Sequence, residues 1–196
     1  GDYQTTGLYC GFMDDRFALP GDRVFAPMLE FLRELLLDSP KENGAFLTDF
    51  VESEKKNLIS TIESDRNDKR VYTITRLLRR MCAGDSFGVP RLGDPQDVAA
   101  ITPEALTAHY EEILRTSPID LFYVGSAPEE EVEAAARALI AGLPRRPEKL
   151  PAQTGFTPGP AGDYTETMDV AQGKLCMGFT TPITNRDPEM PAMQVC

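Results

Sequence analysis

Between Val24 and Leu36 the apolar residues Val24, Phe25, Met28, Leu29, Leu32, Leu35 and Leu36 recur at the three- and four-residue intervals of a helix stripe, and Ser39-Pro40 closes it because the residue before proline avoids the helical basin. Ala45 to about Arg66 carries a second stripe. Leu47, Val51, Glu54, Leu58 and Thr61 follow at intervals of four, three, four and three, so a carboxylate is expected on the inward seam, where it must be hydrogen-bonded, paired or bound to metal. Val71 to Cys82 repeats the helical period through Ile74, Leu77, Leu78 and Met81.

Turn chemistry divides the rest. AGDSFGVPRLGDP is a loop, and Asp94 with Pro95 begins a short helical turn. Thr102 and Pro103 repeat that device before a helix of about three turns with Leu106, Tyr110, Ile113 and Leu114 on its apolar face. Two segments read as strands. Thr5 to Phe17 alternates Thr6, Leu8, Cys10 and Phe12 against Tyr9 and Met13, and residues 119–125 form an apolar run expected to be an interior strand with Phe122 and Val124 covered. Ser126 and Glu129 have the spacing of a capping box for the helix EEEVEAAARALIAGL.

From Leu143 to about Gly162 five prolines and few apolar residues predict an exposed linker, in which Arg145 or Lys149 is the expected first tryptic site. Beyond it YTETMDVAQGKLCMGFTTPI reads as a strand pair or one long strand, and PEMPAMQVC as the opening of a helix.

Composition narrows the chemistry. A formal charge of −11 over 196 residues argues against nucleic acid, whose binding relies on Lys and Arg neutralising phosphates, although Lys69, Arg70, Arg76, Arg79 and Arg80 form a basic strip. No apolar run approaches a membrane span and no signal pattern opens the chain, so a cytoplasmic protein with no membrane partner is expected. Cys10, Cys82, Cys176 and Cys196 lack CxxC spacing and are expected as buried free thiols rather than disulfides, and the single histidine, His109, excludes HExxH, HxxEH or any two-histidine zinc site within the chain. His109 itself, between Leu106 and Ile113, is expected as a boundary residue of its helix, with a Cys-His nucleophile pair as the alternative. The Gly125-Ser126 turn lacks the further glycines and the lysine of a phosphate loop.

Four stretches in order, FVESEKKNLISTIES, LGDPQDVAAITPEALTAHYEEIL, IDLFYVGSAPEEEVEAAARALI and QGKLCMGFTTPI, resemble the insulinase/pitrilysin family of zinc metallopeptidases, which includes the mitochondrial processing peptidases. The resemblance covers nearly the whole chain and is greatest to the zinc-less bacterial members. It implies an α+β fold in which an antiparallel-rich sheet is backed by helices, here truncated. Residues 1–143 would be the latter part of a first peptidase-like domain, 144–163 a proline-rich linker and 164–196 the start of a second.

In active members an upstream helix bears HxxEH, and a downstream helix of approximate pattern EKxxxxxEI supplies the third zinc ligand through its second glutamate. Glu54 and Lys55 match the opening pair and Ile62 the closing isoleucine, which places Thr61 at the ligand position. Seven residues turn a helix by about 700°, so positions 54 and 61 face the same way, whereas Glu63 points about 200° from Thr61. A threonine hydroxyl is a poor zinc ligand. The resemblance therefore implies a catalytically inactive homologue without zinc, a binding or regulatory subunit for a peptide or protein, paired with an active homologue. The competing readings are an active zinc metalloendopeptidase whose HxxEH lies upstream of Gly1, and a purely structural protein. Under the first reading Glu54 is either a structural carboxylate inherited with the fold or a residue with a surviving role.

Overall fold

The computed structural model describes residues 5–143, 145–149 and 157–195. Cys196, Pro144 and residues 150–156 of the proline-rich stretch lie outside them. The fold is α+β and mostly helical: α1 (Phe25–Leu37), β1 (Lys41–Glu42), β2 (Ala45–Phe46), α2 (Thr48–Asp65), α3 (Lys69–Met81), α4 (Pro95–Ala100), α5 (Pro103–Thr116), α6 (Glu129–Ile140) and α7 (Met190–Met193). Two compact units share these elements, Gly1–Asn57 with Ala99–Ala152 and Leu58–Val98 with Gln153–Cys196.

The first unit gathers around Phe25, which is 3% exposed. The Tyr123 ring meets it edge-on with centroids 5.1 Å apart, Phe12 lies at 6.3 Å, and α6 packs along α1. Val24 precedes α1 without a capping side chain of its own; Asp15, in the 3₁₀ turn Asp15–Phe17, instead accepts the N–H groups of Val24 at 2.6 Å and Phe25 at 3.0 Å. A carboxylate at that helix end satisfies orphan donors and meets the positive end of the dipole.

Residues 41–46 correct the expectation of a helix from Ala45. Asn43 and Gly44 take φ of 53° and 84°, the left-handed pair that a two-residue type I′ hairpin turn needs, and Lys41 pairs with Phe46 and Glu42 with Ala45. This antiparallel pair is the sheet among the described residues. Thr107, 3% exposed, anchors it to α5: its hydroxyl accepts the Phe46 N–H at 2.9 Å and donates to the Pro103 carbonyl at 2.6 Å. Tyr110 adds a ring contact to Phe46 and donates to the Leu36 carbonyl at 2.9 Å.

The strands expected at 5–17, 119–125 and 164–183 are not found among the described residues. Apolar alternation supplies a face but not a partner, and a strand without a hydrogen-bonding neighbour is not a sheet. Phe122 is 91% exposed and Val124 100% exposed, which overturns their placement in an interior strand. Instead this segment curls. The Tyr123 hydroxyl accepts the Ala127 N–H at 3.2 Å, and Ser126, expected to cap α6, donates its N–H and hydroxyl to Asp14 at 3.2 and 2.7 Å. Pro128 precedes α6 with no side-chain cap.

Other helix signals match the structure. Thr102 accepts the Ala105 N–H at 3.2 Å with Pro103 in the first turn, and Pro95 opens α4. In the second unit Asp68 caps α3 by accepting from Arg70 and Val71, and Arg79 pairs with Asp94.

Part of the expected linker is pinned rather than free. Arg145 donates to the carbonyls of Leu114 and, at 2.6 Å, Ser117, while the N–H groups of Arg146 and Glu148 reach Arg115 and Thr116 carbonyls at 2.8 Å. These donors satisfy the carbonyls that the C-terminal turn of α5 leaves without intrahelical partners.

Candidate functional site

Helix α2 carries the two positions singled out by sequence, but turned from the expected seam. Val51 is buried and Lys55, Leu58, Ile59 and Ile62 are half-buried, whereas Glu54 and Thr61 are exposed. The covered line therefore runs through 51, 55, 58 and 62. One residue is about 100° of helix, and that rotation places Lys55, not Glu54, against the protein. Its ammonium donates to the Ile101 carbonyl at 2.8 Å and to Glu52 at 2.7 Å. A lysine can bury its stem under an apolar stripe while its head finds acceptors, so an apolar-period count does not identify which of two adjacent polar residues faces in. Glu54 accepts a long 3.4 Å contact from the Asn57 amide, and the Ser64 hydroxyl donates to the Thr61 carbonyl at 2.8 Å.

At the two positions that the resemblance marks, Glu54 and Thr61, this helix offers one carboxylate and one hydroxyl. Catalytic zinc takes three protein ligands drawn from imidazole, thiolate and carboxylate, and among the described residues no group of three or more His, Cys, Asp and Glu is arranged to hold a metal. The residues present do not fit the metal of active insulinase-like peptidases. His109 is exposed on α5. Cys10, Cys82 and Cys176 are free thiols, but only Cys82 of these three is buried as expected, Cys10 and Cys176 being half-buried; burial pushes the Cys82 thiol up, with Asp85 adding to the shift.

A cleft of about 250 Å³ in the first unit is lined by Phe12, Asp14, Asp15, Arg23, Phe25 and Glu131 among others. Its aspartates already serve the fold. Asp14 is held below the usual carboxylate range first by the Ser126 hydroxyl and Asp15 by the N–H groups of Phe25 and Val24, so neither is poised as a general base near neutral pH.

In the second unit two residues of the basic strip, Arg76 and Arg80, gather with Tyr72 around one carboxylate. Glu166 accepts from the Tyr72 hydroxyl at 2.7 Å and from Arg76 at 2.6 and 2.5 Å, and Arg80 stands 3.9 Å away. The Tyr72 hydrogen bond, followed by that of Arg76, lowers the Glu166 pKa; the same bond raises that of Tyr72. Sequence reasoning missed this partner because a pairing across 94 residues leaves no local pattern. Only the four-residue spacing of Tyr72, Arg76 and Arg80 hinted at a shared face.

Comparison with known proteins agrees with the order of motifs. The family model described as Peptidase M16 inactive domain matches residues 100–196. A Bacillus subtilis (strain 168) protein bearing the name probable inactive metalloprotease YmfF is 30% identical over 187 residues, covering 92% of this chain and 44% of its own length. The chain thus spans less than half of that relative. Among solved structures, the crystal structure of a conserved protein from Enterococcus faecalis V583 superposes with a TM-score of 0.64 at 26% identity, over 69% of this chain and 32% of that one. No helix among the described residues is long and apolar enough to cross a membrane. The order of motifs, the family model over residues 100–196 and a relative aligned over 92% of this chain support one conclusion: the chain is a homologue of the insulinase (M16) family.

Proposed function

We propose that this chain is part of a catalytically inactive insulinase-family homologue that acts as a binding or regulatory subunit beside an active, zinc-bearing homologue, with a peptide or protein as its ligand. Thr61 carries the proposal. By the resemblance to the EKxxxxxEI pattern it falls at the position of the third zinc ligand of active members, and a neutral hydroxyl is a poor substitute for a carboxylate in that role; in the structure it lies on the exposed side of α2 with Glu54. The name of the Bacillus relative and the inactive-domain description of the matched family model support the same reading.

Within this proposal residues 1–143 belong to one insulinase-like domain, 144–163 join it to the next and 164–196 begin a second, and the protein works in the cytoplasm. Partnership is testable directly. The polypeptide that carries this chain, purified alone, should hydrolyse no peptide in a chelator-sensitive manner, and should co-elute with its HxxEH-bearing homologue and change that homologue's kcat/KM. Chelator-sensitive hydrolysis by the lone polypeptide would reject inactivity; separate elution with unchanged kcat/KM would reject the regulatory role.

A further inference from the structure

Tyr72, Arg76 and Arg80 recur every four residues on α3 and so share one face. One carboxylate occupies that face: Glu166 takes the Tyr72 hydroxyl on one oxygen and Arg76 on the other. Two residues earlier the Tyr164 ring lies under the Arg80 guanidinium, 4.0 Å from its carbon, so cation–π contact and ion pairing act on the same short stretch.

Two glycines bring the chain against α3 on either side of this stretch. Gly159 donates its N–H to the Met81 carbonyl at 2.7 Å, and a Cβ there would come within 2.2 Å of the Arg80 carbonyl oxygen. At Gly178 a Cβ would stand 2.5 Å from the Met81 sulfur and 3.1 Å from a Leu77 methyl. Between them residues 159–178 form neither helix nor strand ladder. A segment with no regular hydrogen-bond pattern stays in place only through such outside contacts, and it belongs to the low-stability end of a fold.

We propose that residues 159–178 are a releasable strap over α3, latched by the Glu166 carboxylate in a receptor made of Tyr72, Arg76 and Arg80. Loss of the carboxylate, or strong screening of its charge, frees the strap and uncovers the Leu77–Met81 face. The partly exposed setting of Glu166 suits a latch, because its ion pairs remain within reach of salt and of competing carboxylates.

Hydrogen exchange at the Gly159 amide and tryptic cleavage at Lys174, both on the intact chain, read the strap. With Glu166→Ala the protection of Gly159 should fall about tenfold and cleavage at Lys174 should accelerate by a similar factor, while helix content by circular dichroism stays unchanged. Arg76→Glu should do the same, and combining Arg76→Glu with Glu166→Arg should restore much of the protection. The unsubstituted chain in about 1 M sodium chloride should show the same loosening, which keeps the test open if a variant folds poorly. Protection and cleavage within about twofold of the parent, both in Glu166→Ala and in high salt, would overturn the latch, as would a charge-swapped double variant no better than either single one.

Discussion

The Lys55 ammonium donates to the Ile101 carbonyl oxygen at 2.8 Å, on the side of α2 where Val51 is buried. Glu54, one residue earlier, is turned away. Removing Lys55 strips the Ile101 carbonyl of a charged donor and uncovers the apolar surface under the lysine stem, so Lys55→Ala should destabilise the chain by roughly 1.5–3 kcal/mol. Glu54→Ala should stay within about 0.5 kcal/mol, as exposed substitutions do. Urea denaturation of the two variants checks the assignment; the reverse order would return Glu54 to the inward seam.

Thr107→Val should leave the Phe46 N–H without its acceptor and loosen the 41–46 hairpin from α5. A shape-matched valine removes the hydroxyl and little else. The expected loss is about 1–3 kcal/mol, the desolvation penalty of a donor left unmade, and Thr107→Ser should recover most of it. Equilibrium denaturation decides the magnitude, and the amide exchange rate of Phe46 locates the effect.

Arg145 should resist trypsin, because its guanidinium is engaged by the Leu114 and Ser117 carbonyls, and Lys149, exposed, should be cut first. Arg145→Ala should cost about 1.5 kcal/mol through the lost charged hydrogen bonds and should speed cleavage at Lys149. Mass spectrometry of the earliest fragments is sufficient. An early cut after Arg145 would mean that this segment is as free as its prolines suggest.

Acidification should weaken the first unit through Asp15. The N–H groups of Phe25 and then Val24, with Arg23 3.9 Å away, hold its carboxyl below the usual range, against desolvation and, less, the charge of Asp14. A folded-state pKa below the unfolded one means that the unfolded chain binds more protons in that interval. The contribution is therefore complete above the ordinary carboxylate range and disappears as pH falls through the lowered folded value. Asp15→Asn should lower the denaturation midpoint at neutral pH and flatten its fall as pH drops through and below the ordinary carboxylate range. An unchanged slope would show that the carboxylate does not sense α1.

Which parts of this structure could be read from sequence follows the range of the interactions that form them. The helices α1, α3, α5 and α6 depend on apolar period and on caps such as Thr102-Pro103, signals contained in a few consecutive residues. Asn43-Gly44 was equally local, and its hairpin was hidden by a helical period that begins too close to it. Residues 119–125 show the opposite limit: the run is apolar, but a strand needs a neighbour that no local pattern supplies. At the candidate site the spacing of Glu54 and Thr61 correctly put them on one face of α2. It could not choose between that face and the adjacent one carrying Lys55, because the acceptor that the Lys55 ammonium meets, the Ile101 carbonyl, lies 46 residues away. The Glu166 receptor is non-local in the same way.

Zinc content is the most direct measure of whether Thr61 has ended metal chemistry on α2. The polypeptide that carries this chain, purified without chelator, should contain far less than one zinc per molecule by elemental analysis. Added zinc should leave its melting temperature unchanged, whereas a site held at about 100 times its Kd would contribute roughly 2.7 kcal/mol. Thr61→Glu alone should change neither result, since one added carboxylate does not complete three ligands. Stoichiometric zinc that is lost when Glu54 or Thr61 is replaced by Ala, with a matching fall in melting temperature, would contradict the inactive-subunit reading and make this helix part of a working metallopeptidase site.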